Sequence, residues 1–380
     1  MGSGTIIYFG GFEMPDCNAA AHRVLANAKI LKKSGFEIVF CGVKKDKKNC
    51  NTVTKDGAFY YCPSYYPKGL FGWMKYLFNI GNVKKALQSF NDVKAIICYN
   101  SHSFHLKKML RICKKKKIKI VADITEWYQN KFSLLPLKFI KWLDTKQVME
   151  KYHKKMDGII SISSFLSTYY GTSVKNVVTV PPLIDINEPI WHQNAKTNKD
   201  IIEFVYSGDP CTDKDKVDVV INCLTKINSK DFVFNIYGMS RDHFLRLSAN
   251  SKKQLQLLSD KVVFHGRVSH AESVLSLLCS DYCVFFREPT RKNNAGFPTK
   301  FVECVTTGIG IITNAFSDIE AFKSEPNTIV LPEISEESIV RAFDLCIKKG
   351  KLKHSLNTSF HYLLFEKKLT LFLKEVLQTY

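Results

Sequence analysis

The residues with the clearest chemical potential run from 285 to 303: Phe285-Phe-Arg-Glu-Pro-Thr-Arg-Lys-Asn-Asn-Ala-Gly-Phe-Pro-Thr-Lys-Phe-Val-Glu303. Gly308 and Gly310 follow, before an apolar run. Glycine and proline shape a loop that leads into a helix, and the first N–H groups of a helix have no intrahelical partner and can hold a phosphate. Arg287 and Lys300 would add positive charge at that point. Glu303, one turn into the helix, can accept paired hydrogen bonds from a ribose diol. A capped helix after a strand does not by itself require so many polar residues around an apolar frame.

A second group is Phe204-Val-Tyr-Ser-Gly-Asp-Pro210, followed by Asp213-Lys-Asp-Lys-Val-Asp218. Gly208 frees the backbone, and Lys214 can reach a diphosphate as a point charge. Asp213-Lys214-Asp215 has the spacing of a DxD metal motif, but acidic residues at a helix start are favoured by its dipole anyway. No bound metal is expected. A third group is Gly10-Gly11, then Pro15, Asn18 and a helical stretch. Glycines after a strand let the backbone approach a ligand. An ordinary strand-to-helix turn accounts for the same residues, and the spacing is neither GxGxxG nor a phosphate-binding P-loop. Asp123 and Glu126 end one strand pattern, and Asn100, His102 and His105 follow another. The carboxylates could orient an acceptor or move a proton; capping a helix or pairing with lysines stands beside that reading. A lone histidine is usually structural.

The elements that must position these groups follow a rhythm of strand, loop, helix, strand. Thr5–Phe9, Glu37–Gly42, Ala95–Tyr99, Ile118–Ala122 and Gly158–Ile162 read as buried strands, with the helical spacing of Asn18–Lys33 and basic helical stretches between them. Alternation of this kind predicts a parallel α/β sheet. Val180-Pro181-Pro182 and the polar run Asn187–Asp200 break the pattern. It then restarts with strands at Ile202–Ser207, Val233–Tyr237, Val262–Gly266, Tyr282–Arg287 and Gly310–Thr313, and helices at Val217–Ile227, Ala271–Leu278 and Lys300–Thr307. The expected division is residues 1–183 as an N-terminal domain, 184–200 as a linker and 201–358 as a C-terminal domain. An amphipathic helix in 359–380 is expected to pack back on the N-terminal domain. Ligands in such sheets gather at the carboxyl ends of the strands.

Gly296-Phe-Pro-Thr-Lys-Phe-Val-Glu303, Tyr206-Ser-Gly-Asp-Pro210 with the following Lys214-Asp215, and Val180-Pro-Pro-Leu-Ile-Asp185 with Trp191 resemble bacterial glycosyltransferases of family 4. Asp123-Ile-Thr-Glu-Trp-Tyr128 and Ser161-Ile-Ser163 fit the same group, in the branches that build capsule, O-antigen and other exopolysaccharides. The resemblance covers nearly the whole chain. It implies the GT-B fold, two doubly wound domains facing a cleft, and a retaining, metal-independent sugar transfer from a nucleotide-sugar, with UDP the family habit and GDP left open. It further implies that Lys214 and Arg287 neutralise the diphosphate, helped by loop amides around Phe297, Pro298 and Thr299 and by Lys300. Glu303 would hold the ribose. Arg267 and Val268 would lie beside the nucleobase, near Tyr237 and Gly238, and Gly10 and Gly11 would approach from the other domain. Acceptor candidates are Asn18, Asn100 and His102, with Asp123 and Glu126 as catalytic carboxylates. The family usually carries a glutamate eight residues before the ribose glutamate. Ala295 stands there, which leaves donor-sugar recognition open.

The chain has 380 residues, 55 Lys+Arg against 35 Asp+Glu, and a formal net charge of +20. That surplus points to an anionic partner. Lys107–Lys119 holds eight Lys/Arg, and the segments 69–78 and 131–142 mix apolar and basic residues. Such segments could lie on an anionic inner leaflet, with a lipid-linked glycan as acceptor; solvated lysine faces over ordinary core helices read the same pattern. No apolar run reaches the roughly 18–20 residues of a spanning helix, and no leader pattern opens the chain. The twelve cysteines are scattered singly, which suits reduced thiols in a cytosol. The location expected is the inner face of the cell membrane, held peripherally. Two further readings stand: a sugar-nucleotide epimerase of the same fold, and a basic nucleic-acid-binding protein. No nucleic-acid motif supports the latter, so nucleic acid is not expected as a partner.

Overall fold

The structure, a computed structural model, describes residues 4–15, 18–128, 135–193, 201–208, 215–229 and 231–378. The chain divides into two compact units, Met1–Ile184 with His361–Tyr380, and Asp185–Phe360.

The first unit holds strands β1 (Gly4–Gly10), β2 (Phe36–Cys41), β3 (Val43–Lys44), β4 (Thr54–Asp56), β5 (Phe59–Tyr61), β6 (Ser64–Tyr65), β7 (Val93–Tyr99), β8 (Lys119–Ile124), β9 (Gly158–Ser161) and β10 (Val177–Thr179). Eight of them form one sheet in the order β10-β9-β8-β7-β1-β2-β5-β4, parallel except for β4 against β5. The long strands are apolar on both faces because helices cover both, which is why they read as unbroken apolar runs. The helix Ala19–Lys33 buries Ala21, Val24, Ala28, Ile30 and Leu31, and Asn18 caps it by accepting from the Ala21 amide at 2.8 Å. The helix Glu366–Gln378 packs on it with Leu369, Phe372, Leu373 and Val376, each worth about 1.5–3 kcal/mol of burial. Gly158 permits that docking: a Cβ there would come 2.6 Å from the Val376 side chain.

The second unit holds β11 (Ile202–Ser207), β12 (Phe232–Tyr237), β13 (Val262–Gly266), β14 (Tyr282–Val284), β15 (Gly310–Asn314) and β16 (Thr328–Leu331). They form a six-stranded parallel sheet in the order β13-β12-β11-β14-β15-β16. Phe204, Phe234, Phe301 and Phe343 are fully buried in its core. The strand expected over Tyr282–Arg287 stops at Val284; beyond it the Phe286 carbonyl accepts from the Lys216 amide, and the Arg287 backbone bonds to a side chain, as described below. The helix expected to run to Ile227 ends at Leu224.

Strand order reverses beside the first strand of each unit. In unit 1, β1 lies between β2 and β7; in unit 2, β11 lies between β12 and β14. The chain leaves those neighbouring strands in opposite directions, which opens a crevice at their carboxyl ends.

Candidate active site

In unit 2 the crevice contains a charged cluster. Asp215 is buried, and its carboxylate receives the Lys300 ammonium at 2.6 Å, the Tyr206 hydroxyl at 2.7 Å and the Arg287 Nε. Burial raises the Asp215 carboxyl pKa, but the charges of Lys300 and Arg287 and their hydrogen bonds outweigh it and hold the group well below the usual carboxylate range. Burial, followed by the Asp215 charge, pushes the Tyr206 phenol far up and keeps it neutral. One carboxylate faces two cations, so the cluster keeps a surplus positive charge at the ends of β11 and β14. The Lys300 ammonium also lies 3.9 Å from the centre of the Tyr206 ring.

The backbone around the cluster is fixed. Asn314, at the end of β15, accepts from the Arg287 amide at 2.9 Å and donates to the Arg287 carbonyl at 2.9 Å. Asn293 donates to the Glu288 carbonyl at 2.9 Å, and Thr290 caps the short helix Arg291–Ala295. The Ser317 hydroxyl donates to the Gly296 carbonyl, and its amide donates to Asn294. The loop is therefore set before any ligand arrives, the condition under which a charge stabilises a developing anion most. Gly208 has φ of 144°, and a Cβ there would come 3.1 Å from the Lys300 ammonium. Gly238 has φ of 106°, and its Cβ would meet the Gly208 carbonyl at 2.1 Å, so neither position accepts a side chain without strain.

Further along the same strand ends, the Tyr237 ring stacks on His265 with centroids 4.0 Å apart and 3° between planes. Arg267 is exposed and Val268 half-buried just beyond β13. Glu303, in the helix Thr299–Thr307, is held by His270 Nε2 at 3.1 Å. Pro298 is buried at the start of that helix and Thr299 is exposed. Phe297 points elsewhere: its ring joins Phe301, Phe322 and Phe360 in an apolar cluster, so only its backbone is free to serve a ligand. Ala295 is fully buried. Lys214 lies outside the described residues.

Unit 1 corrects several expectations. Asp123 is fully buried beneath the strand ends. Arg23 meets it at 2.8 Å, the Tyr8 hydroxyl donates to it, and the Asn27 amide donates at 3.3 Å. Arg23 also donates to the carbonyls of Val180 and Pro181, at 2.8 and 3.3 Å. Asp123 is thus the counterion of a buried brace, not a carboxylate open to an acceptor. Glu126 is exposed. Asn100 adopts a left-handed backbone (φ 38°), and its amide group is spent bridging to Thr125, donating at 2.6 Å and accepting at 3.2 Å. His102 pairs with Asp144 at 3.0 Å while the same carboxylate takes the Ser103 amide. Asn18 serves as the helix cap described above. Gly10 is required by packing, since a Cβ would lie 2.6 Å from the Tyr99 carbonyl oxygen, whereas Gly11 is exposed and nearly free of neighbours.

The sequence reading missed Asp215 as a counterion, His270 and Asn314. Asp215 stands 72 residues from Arg287 and 85 from Lys300, and no local pattern marks such a partner. Its signals were the DxD spacing, which acidic residues at a helix start also explain, and its place in the Lys214-Asp215 pair that carries the resemblance. Asp215 itself is committed to two cations, and Asp213 lies outside the described residues.

No family model matches the chain, and no curated protein matches it in sequence. Solved structures do. A glycosyltransferase from Rickettsia africae superimposes with a TM-score of 0.69 at 14% identity over 100% of both chains. Sucrose-phosphate synthase from Thermosynechococcus elongatus gives 0.67 at 12% identity, covering 99% of this chain and 94% of that one. HepE from Anabaena, solved in complex with UDP and glucose, gives 0.61 at 11% identity, covering 98% of this chain and 99% of that one. This chain has the GT-B fold. The identities are too low to carry more than the fold, so the GT-B frame fixes where the strand ends lie and the residues above must supply the chemistry.

Proposed function

We propose that this chain is a retaining glycosyltransferase of the family 4 type. It would move a sugar from a nucleotide-sugar, with UDP as the base-bearing half, to a glycan acceptor carried on a lipid, in the synthesis of a cell-surface polysaccharide. The observation that carries the proposal is the Asp215-held pair of Arg287 and Lys300 at the switch point of unit 2. A preset surplus of positive charge at the carboxyl ends of parallel strands suits a diphosphate.

Breaking the bond between the sugar and the diphosphate builds negative charge on the leaving phosphate and oxocarbenium character on the sugar. Arg287 and Lys300, with Lys214, meet that negative charge. Losing one such preset group costs about 3–4 kcal/mol of barrier. Glu303, oriented by His270, accepts from the ribose hydroxyls, and the Tyr237–His265 stack offers a face for the base. Same-face attack then passes the acceptor hydroxyl proton to the departing phosphate oxygen. No protein carboxylate need act as nucleophile, and Glu126 is the remaining carboxylate for acceptor orientation. The reaction needs no bound metal in this account, because cations of the chain do the neutralising. Basic and apolar segments of unit 1 bring the enzyme to an anionic membrane face, where a lipid-linked acceptor resides.

The test is UDP release from UDP-sugars with and without lipid-linked glycan acceptors, with the anomeric configuration of the product read by NMR. Release that depends on acceptor, with configuration kept, supports the proposal. Interconversion of the nucleotide-sugar without acceptor would replace it with an epimerase.

A further inference from the structure

Among the described residues, unit 1 carries an apolar surface that no element of the unit covers. The helix Gly69–Phe78 has no buried residue at all; Phe71 is 85% exposed, and Leu70, Trp73, Met74 and Phe78 are exposed with it. The helix Pro136–Gln147 exposes Leu137, Ile140 and Leu143. Both pack against the helix Ser103–Lys116, the first through Phe78 on Phe104 and the Tyr76 carbonyl on His105, the second through Asp144 at the Ser103 amide. Charge of one sign accompanies this surface. The helices Gly69–Phe78, Gly81–Ser89 and Ser103–Lys116 contain no acidic residue. Asp144, in the Pro136–Gln147 helix, is turned inward onto His102 and Ser103. Among the described residues no helix is long and apolar enough to cross a membrane.

Beside the Phe78 end of this surface lies a cavity of about 360 Å³ lined by Phe78, Ile80, Lys84, Lys108, Arg111 and Ile112. Its cations come from two helices, and Lys108 donates to the Phe78 carbonyl and lies 5.6 Å from the centre of the Phe78 ring, tying the apolar helix to the basic one. No acidic side chain lines it.

We propose that this cavity is a binding site for the phosphate of an anionic phospholipid headgroup, seated when the exposed faces of the two apolar helices enter the bilayer interface. The proposal rests on the reading of unit 1 as the membrane-facing unit and names its specific lipid contact. Apolar side chains that dip beside a headgroup pocket, with like-signed cations around it, match the chemistry of an interface in which phosphate lies above acyl chains. The cavity is lined by residues of unit 1 alone, whereas the nucleotide site is read from residues of unit 2, so each can be altered without touching the residues of the other.

The experiment is flotation of the full chain with phosphatidylcholine vesicles, with and without phosphatidylglycerol, and UDP binding is measured on the same samples. Wild type should partition into the phosphatidylglycerol vesicles far more than into the neutral ones. Lys84→Gln with Arg111→Gln should lower that partition about 25- to 30-fold for two diffuse charges, and by roughly tenfold more for the lost phosphate contacts. Lys114→Gln with Lys115→Gln, a matched pair outside the cavity, should show only the diffuse effect. Phe71→Ser should lower binding to both vesicle types, and inorganic phosphate should compete with neither. Equal losses from the two charge pairs would overturn the cavity as a site, as would competition by inorganic phosphate, which would make it a free-anion pocket. Unchanged UDP binding in every variant keeps such a failure distinct from a failure of the donor site.

Discussion

Asp215→Asn keeps the shape of the side chain and removes its charge. The Asp215 side chain is 3% exposed, that of Lys300 10% and that of Arg287 13%, so the two cations would be left facing each other with little water to screen them. Removing one member of a buried ion pair costs about 3–5 kcal/mol. In a domain of this size each kcal/mol is worth roughly 2–4 °C, so the unit 2 transition should fall by about 6–20 °C. A diphosphate would supply the missing negative charge. UDP should therefore raise the melting temperature of the variant more than that of wild type, while kcat/KM falls by about 10²- to 10³-fold as the cations lose their preset positions. The pH dependence follows from the same group. Its folded pKa is depressed, so its stabilisation is complete above the ordinary carboxylate value and is lost as pH falls below it. The variant should lack this part of the acid-induced loss. Calorimetry at neutral and acid pH, with and without UDP, reads all three effects. A variant that melts within about one degree of wild type and responds to UDP no differently would refute the charge-balance argument.

Other substitutions test separate parts. Glu303→Ala and Lys214→Ala should each abolish turnover with an unchanged circular dichroism spectrum; full activity in either removes the donor-site assignment. Tyr237→Ala should weaken UDP binding about 2- to 12-fold by titration calorimetry, the range of one lost aromatic stack. Asp123→Asn should destabilise unit 1 by about 3–5 kcal/mol in urea melts by stranding the buried Arg23. His105 is buried and its pKa is pulled down to about 4, mainly by that burial, against which its bond to the Tyr76 carbonyl works. Its stabilising contribution is complete above about 6.5 and is lost as pH falls toward 4, a change of about 3 kcal/mol that His105→Gln should remove from the acid limb of the stability curve.

The strands were legible in the sequence because parallel strands covered on both faces must be apolar throughout. Ile202–Ser207 and Val262–Gly266 fall on the expected residues; two such series mark two α/β domains, and the GT-B fold was what the resemblance implied. The short strands Val43–Lys44 and Ser64–Tyr65 gave no signal, because two residues establish no period. On the site, Arg287, Lys300 and Gly208 could be picked out because loop glycines and cations beside a helix start have a local reason to be there. Asp215 could not be placed as their counterion, since its partners are distant in sequence. Asp123 misled for the opposite reason: the end of a strand is where a catalytic carboxylate belongs, and only the fold brings Arg23, Tyr8 and Asn27 around it. Exposed apolar helices such as Gly69–Phe78 show the same periodicity as core helices, so their exposure also had to come from the structure.

The central claim is that unit 2 holds a nucleoside diphosphate on its own cations. The most direct measurement is a thermal-shift panel of nucleoside diphosphates and nucleotide-sugars, each with and without EDTA. The account predicts a rise in melting temperature with UDP and UDP-sugars that EDTA does not diminish. No shift with any nucleotide, or a shift that EDTA abolishes, would contradict it.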